Sequence, residues 1–277
     1  MGKVPLILLT SALLAASIMA CSLPEFKIPG CIVLKQSGVY MLVGDVLDRR
    51  GTCMQVKADN VVLDCQGHVI KGVGGGYGVY VEGARNVTIR NCILRNWGIG
   101  IHLKYVLNGT LENNVIFNST GDGISLIYSA YVVLRNNTVS YSRRKGIVLM
   151  SSFYNTLKGN MINSTGCGIW LEYGSGNTLR GNVVLNATGN GIRLMYSVEN
   201  ILKHNKVKHS KREGIYLYLS SDNIISKNVV CRSGVWDIYF DARSNGNRGD
   251  NACSTIISEG INSVKCSKEC QTSLAKT

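Results

Sequence analysis

From Gly78 onward, apolar residues recur as a pair two apart and then singly, with a period of 22 or 23 residues. One full unit reads Gly146-Ile147-Val148-Leu149, then Asn155-Thr156-Leu157-Lys158-Gly159-Asn160-Met161-Ile162. The phrase restarts at Gly78, Gly100, Gly123, Gly146, Gly168, Gly191 and Gly214, with a decayed copy at Asp237. One residue after each start stands Ile or Val; three after stands Leu, Val or Phe. Eleven after stands Ile or Leu, and sixteen after stands Leu, Ile or Val. Apolar residues two apart, with variable residues between them, predict a strand with one buried face. Each unit therefore predicts two or three short strands separated by turns. A fixed period of this size means stacked coils rather than a conventional globule. No stretch sustains a 3.6-residue apolar period, and the leucine spacing is not that of leucine-rich repeats. The expectation is an all-β, single-stranded right-handed parallel β-helix of about ten coils, a rod of roughly 48 Å.

Fourteen residues after each start runs a column of Asn114, Asn137, Asn160, Asn182, Asn205, Asn228 and Asn251, with Cys92 in the slot of the first coil. A primary amide both donates and accepts, so stacked asparagines can bond to one another and to the turn backbone inside a bend. The stretch from Cys53 to Cys92 includes Asn60-Val61-Val62-Leu63-Asp64-Cys65-Gln66-Gly67-His68-Val69-Ile70 and Asn86-Val87-Thr88-Ile89-Arg90-Asn91-Cys92. With the Gly-Ile-x-Leu and Asn-x-Leu-x-x-Asn-x-Ile phrases, it resembles parallel β-helix (PbH1) repeats of the pectin-lyase-like superfamily. The resemblance extends to the NosD-type and CASH-domain proteins, and to a secreted subgroup common in archaea. It covers roughly residues 31 to 255 and implies the fold. That fold hosts lyases, hydrolases, esterases and adhesins, so it implies no single function.

Residues 1–20 read as a signal peptide or N-terminal anchor: Lys3 precedes an almost wholly apolar Val4 to Ala20. Cleavage, lipidation of Cys21 and an uncleaved anchor all remain open. Residues 21–51 are expected to cap the helix and supply its first strands, 52–254 to form the helix, and 255–277 to form a C-terminal cap and tail. Gly72 to Gly76 is expected to interrupt the first coil as a flexible loop. Ten cysteines fit an oxidising compartment. Cys31, Cys53, Cys65 and Cys92 cluster early, and Cys231, Cys253, Cys266 and Cys270 cluster late. With no Cys-x-x-Cys spacing they predict disulfide staples at both ends rather than zinc, with connectivity open. Cys167 stands alone.

The net charge of +13 suggests anionic partners or simple solubility, and it does not set the fold. Twelve residues after each start stand Arg90, Glu112, Arg135, Lys158, Arg180 and Lys203. Four successive cations at strand spacing repel one another, and a polyanion would relieve that. The bland alternative is a solvated, aggregation-resistant face. Trp170, Tyr216 and Tyr239, with Tyr80 and His102, occupy the outward slot two after the start, and Tyr105, Tyr128, Tyr173 and Tyr196 recur five after it. Flat rings suit sugar faces, and tyrosine also simply favours strands.

Two carboxylates must lie about 5 to 9.5 Å apart for glycoside hydrolysis. In the outward column four after the start, Glu82, Glu172 and Asp241 stand three or four coils apart, too far to share one bond. Glu199 with Asp222, and Glu213 with Asp237, are closer, and turn roles compete with catalysis for all four. Glu172 near Arg193 is a poor calcium cage, so calcium belongs only to a lyase reading. His68, His102, His204 and His209 form no metal motif. Asn86, Asn108, Asn118, Asn136, Asn163 and Asn186 begin glycosylation sequons. Asn118, Asn163 and Asn186 are placed alike, in turns after the last strand.

The expected protein is exported, extracellular or on the cell surface. It is noncatalytic, has no cofactor, and presents an outer face to acidic polysaccharide, cell-surface glycan or another cell-envelope component. The enzymatic alternative is a polysaccharide lyase or glycoside hydrolase acting on acidic polysaccharide, and the NosD resemblance implies metalloenzyme maturation as a third. Nucleic acid is not expected. Membrane contact runs only through the N-terminal segment or a lipid on Cys21.

Overall fold

The computed structural model describes residues 23–268 and 270. Residues 1–22, which include the stretch expected to be a signal peptide or anchor and Cys21, lie outside the described residues, as do Glu269 and residues 271–277. The rest is an all-β parallel solenoid of about ten coils, without helix. No described helix is therefore long and apolar enough to cross a membrane.

Each coil contributes three strands, as in Lys145–Met150, Thr156–Lys158 and Met161–Asn163. The first strands stack in parallel into an 11-stranded sheet. The second and third strands belong to a 21-stranded assembly folded along a bend. Near its C-terminal end, Arg248–Cys253 runs through that bend and pairs with both Ile224–Ser226 and Val229–Cys231. Register follows the repeat: Ile147 stands on Ile169 and Leu149 on Leu171, while Leu157 stands on Leu179. The apolar columns point inward, and Ile147, Leu149, Leu157 and Ile162 are fully buried.

The glycine that opens each phrase is required for space. A Cβ on Gly146 would overlap the Ile162 side chain of its own coil and the Gly168 carbonyl of the next. Gly123, Gly168, Gly191 and Gly214 meet Val139, Val184, Val207 and Val230 in the same way. The first strand thus approaches closely enough for the third-strand aliphatic to fill the core.

Corners are made by residues with left-handed backbone. In the coil from Gly123 these are Tyr128, Tyr131, Asn136 and Tyr141, with φ of 50°, 55°, 55° and 58°. Such a residue costs about 1 kcal/mol when it is not glycine. The residue after each corner turns inward, and inward polar residues bond between coils. Asn160 donates to the Leu134 carbonyl at 2.9 Å and to Asn182 Oδ1 at 2.9 Å. It accepts from the Asn137 backbone and side-chain amides, each at 3.0 Å. This is the expected asparagine ladder, at the bend between second and third strands. A second ladder, not anticipated as a column, runs through Asn155, Asn177, Asn200, Asn223 and Asn247 at the bend between first and second strands. Serines beside it, such as Ser197 and Ser220, bond in the same manner.

All eight expected cysteines are paired. Cys31–Cys53 and Cys65–Cys92 staple the first coils, and Cys231–Cys270 and Cys253–Cys266 the last. Strand stacking already begins at Glu25–Ile28, which pairs with Gly38–Leu42. It continues beyond residue 255, where Ile256–Ser258 lies on Ile238–Phe240 and Ser263–Lys268 on Arg248–Cys253. The glycine run at 72–76 is tied down rather than loose. Gly74 donates to the Asn96 carbonyl at 2.7 Å and accepts from the Thr120 hydroxyl at 2.7 Å. Gly72 underlies the buried Trp97 ring, whose Nε1 donates to the Ile70 carbonyl at 2.9 Å.

Asn160→Ala strands the Leu134 carbonyl and two Asn137 donors, and should cost on the order of 2–4 kcal/mol. The exposed neighbour substitution Lys158→Ala should stay within about 0.5 kcal/mol. Urea midpoints compare the two, and equal midpoints would remove the ladder from the account of stability. Each disulfide should contribute roughly 2–4 kcal/mol to its own end. Under reductant, hydrogen exchange should accelerate first in residues 25–95 and 231–268, and last in the central coils. Uniform acceleration would show that the staples do not act locally.

Candidate functional site

Two outer faces gather the candidate residues. On the second-strand face, Arg135 stands on Lys158, Lys158 on Arg180 and Arg180 on Lys203. The column begins in alternation: Arg90 Nε meets Asp64 Oδ2 at 2.8 Å, and Arg135 Nη2 meets Glu112 Oε2 at 2.7 Å. Burial alone would push the Asp64 carboxyl up, but hydrogen bonds from Asn91 and the Gln66 amide, with Arg90, hold it below the usual range. Beyond Arg135 the alternation stops. Lys158, Arg180 and Lys203 make no ion pair among the described residues. His204, at the corner beside them, is drawn below the usual imidazole range by desolvation and then by Lys203, Lys227 and Arg180.

On the first-strand face, Trp170 stands beneath Arg193, Arg193 beneath Tyr216 and Tyr216 beneath Tyr239. The Trp170 ring is covered on both sides, with Lys145 Nζ 4.5 Å and Arg193 Cζ 4.4 Å from its centroid. Arg193 Cζ also lies 5.1 Å from the Tyr216 centroid, and Tyr216 leans on Tyr239 at 5.4 Å. Tyr239 donates to Glu259 at 2.7 Å, and that bond, with burial, pushes its phenol up to about 12. A cavity of about 390 Å³ opens beside Trp170, where the third strand turns into the next first strand. Arg144, Lys145, Arg193 and Arg212 line it, and Cys167 forms part of the wall. Burial pushes the Cys167 thiol up to about 12, which keeps it uncharged. Lys145 and Arg193 were not singled out as a pair by the column reading. They meet Trp170 from the coils before and after it, so a diagonal comparison of adjacent coils would have found them.

The carboxylates are largely committed. Asp237 is buried and accepts from the amides of Ser233, Ser254 and Thr255. Glu213 is buried and accepts from Asn190 Nδ2 at 2.6 Å, with Arg212 Nε at 3.5 Å. Glu199 and Asp222 are exposed corner residues, with φ of 57° and 58°. Asp241 points inward rather than outward, accepting from the Leu219 amide at 3.0 Å and from the Ser244 hydroxyl. Glu82 is held by Lys104 at 3.0 Å. No group of three or more His, Cys, Asp or Glu side chains suited to a metal comes together among the described residues.

The tyrosines five after each start are corner residues, not strand residues: Tyr105, Tyr128, Tyr173 and Tyr196 have φ of 54°, 50°, 52° and 48°. Their rings stack along the solenoid, Tyr105 on Tyr128 at 5.2 Å and Tyr173 on Tyr196 at 4.9 Å. Tyr77, Tyr80 and His102 form a further stack in which His102 is buried. The faces expected to meet sugars are therefore largely turned on one another. Of the sequon asparagines, Asn86, Asn108, Asn118, Asn136 and Asn186 are exposed corners. Asn163 differs from Asn118 and Asn186: it ends a strand and accepts from Asn186 Nδ2 at 2.9 Å.

Comparison with solved structures shows the same architecture at low identity. The Dettilon tailspike protein superposes with a TM-score of 0.66 at 12% identity, over 87% of this chain and 61% of that one. The A-module of the Azotobacter vinelandii mannuronan C-5 epimerase AlgE4 gives 0.61 at 15%, over 88% of this chain and 90% of that one. Endopolygalacturonase I from Stereum purpureum, complexed with two galacturonate, gives 0.61 at 12%, over 90% and 92%. At such identities the likeness is one of fold. No curated protein sequence matches the chain. The model of the right-handed β-helix region matches residues 77–230 and 166–271, over the coils whose glycine, asparagine and aliphatic columns are described above. The chain belongs to this right-handed β-helix family.

Proposed function

We propose that the protein is an exported, noncatalytic module that binds anionic polysaccharide along the second-strand face of its β-helix. The observation that carries this reading is the run Arg135, Lys158, Arg180 and Lys203. It places one cation per coil on four successive coils, the last three without an acidic partner among the described residues. Coils repeat every ~4.8 Å, so a polymer with an acid on each sugar can meet the column charge by charge along the solenoid axis. A mannuronan C-5 epimerase module and an endopolygalacturonase complexed with galacturonate, both of the same fold, support an acidic glycan. Four disulfides suit an oxidising compartment. Binding rather than cleavage is supported by the carboxylates: Asp237 and Glu213 are spent on turn contacts, and Glu199 and Asp222 occupy exposed corners.

Binding to polygalacturonate or alginate should weaken at least tenfold or so between about 0.05 M and 0.5 M salt. Changing Lys158, Arg180 and Lys203 together to Glu should remove most of it. The same charge change at Lys27, Lys35 and Lys57, exposed near the other end, should leave most of it intact. Salt-insensitive binding, or equal loss in both triple variants, would sink the stripe. Appearance of unsaturated or reducing-end product in the same mixtures would overturn the noncatalytic part and restore the lyase or hydrolase alternative.

A further inference from the structure

The cavity beside Trp170 lies on the first-strand face, away from the basic column, and its geometry is more selective than a row of charges. The Arg193 guanidinium lies between Trp170 and Tyr216, its Cζ 4.4 and 5.1 Å from their ring centroids. A guanidinium packed between two rings is restricted in its rotation and keeps N–H groups to offer a ligand. Arg193 Nε and Trp170 Nε1 are both buried and find no acceptor among the described residues. Arg144, Lys145 and Arg212 add positive charge around the same opening. Glu213, adjoining it, already accepts from Asn190 Nδ2 and is ion-paired with Arg212 at 3.5 Å. Both faces of Trp170 are taken by cations, so a neutral sugar has no free ring face there to stack on.

We infer that this cavity is a subsite for the carboxylate of a single hexuronic acid unit. A carboxylate presents two coplanar oxygens, which match two parallel N–H groups of a guanidinium edge. The Lys145 ammonium adds positive charge to the same opening from the coil before, across the Trp170 ring. The uncharged Cys167 thiol leaves the wall free of a competing anion. This inference rests on the reading that the protein takes acidic glycans, but it assigns a separate face and a ligand of one or a few sugars rather than a polymer. Sulfated sugars share the negative charge but not the planar two-oxygen edge.

Calorimetric titration with trigalacturonate, cellotriose and a sulfated trisaccharide tests the assignment. Trigalacturonate should bind the wild type saturably at one site and cellotriose should not bind. Arg193→Lys keeps the charge but loses the fork, and should weaken binding about tenfold or more. Lys145→Gln, whose side chain packs only on the outside, provides a second variant should Arg193→Lys shift the unfolding midpoint, and it should also weaken binding. The triple Glu variant of Lys158, Arg180 and Lys203 should keep trigalacturonate affinity within about threefold while losing the polymer. The carboxylate subsite is overturned if trigalacturonate fails to bind while polymer still does, if its affinity survives both cavity variants, or if it falls with the column variant. Equal affinity for the sulfated trisaccharide overturns the preference for carboxylate. Loss of polymer binding through the column, with trigalacturonate unaffected, separates the two faces.

Discussion

In-register parallel stacking governs this molecule. Because coils repeat after 22 or 23 residues and pair without slippage, each side chain's nearest neighbours along the axis are its own counterparts. Any column must therefore tolerate like on like, at strand spacing, for many coils. Aliphatic side chains do so at no cost and fill the interior. Among polar groups only one that both donates and accepts can be repeated while buried, which is why the inward bends carry amides and hydroxyls. Asn137, Asn160 and Asn182 close that condition completely, each accepting from the coil before and donating to the coil after. A buried carboxylate or ammonium could not.

The same rule sorts the outer faces. A charged column is stable when signs alternate, and the first half of the second-strand column does alternate: Asp64, Arg90, Glu112, Arg135. On the first-strand face another solution appears, in which cations alternate with aromatic rings: Lys145, Trp170, Arg193, Tyr216. Each ring face attracts a cation and separates it from the next one. Elsewhere tyrosines simply stack on tyrosines, at 4.9 to 5.2 Å for Tyr173–Tyr196 and Tyr105–Tyr128. In both arrangements ring faces are consumed within the column, which is why exposed tyrosines in a solenoid are weaker evidence for sugar stacking than the same residues on a flat sheet.

How much of this was legible in the sequence depended on whether a property lies within one column or between columns. The inward aliphatics, the ladder from Asn114 to Asn251 and the charge run through Lys203 are single-column properties, and they are found where the repeat puts them. The second amide ladder was also within reach, since Asn155, Asn177, Asn200 and Asn223 share one slot. Earlier coils place Gly109 and Val132 there, and the column looks broken when read from its start. The partners of Asp237 are amides from its own corner and the next turn, where the repeat decays, so no column announces them. The Lys145–Trp170 contact is diagonal, and the space needed at each opening glycine depends on a third-strand side chain sixteen residues later. Corner geometry was similarly hidden: tyrosine favours strands, and nothing in its composition marks Tyr105 or Tyr128 as left-handed.

The charge run is informative because the chain shows it has alternatives. Opposed like charges on neighbouring strands cost a few tenths of a kcal/mol to about 1 kcal/mol per pair. Placing Glu at the Lys158 or Lys203 slot would have continued the alternation that Asp64 and Glu112 establish, at no cost to the core, because these side chains point away from it. Solubility alone does not call for one sign, since an alternating column also keeps a sheet face wet. A column that begins neutralised through Arg135 and then carries three unpaired cations in succession is thus suited to charge arriving from outside. In the proposed binding, that outside charge is spread along the axis over coils that rise ~4.8 Å each. Small counterions can screen such a row but bring no spacing of their own. A chain of linked acidic sugars brings both the charge and the spacing.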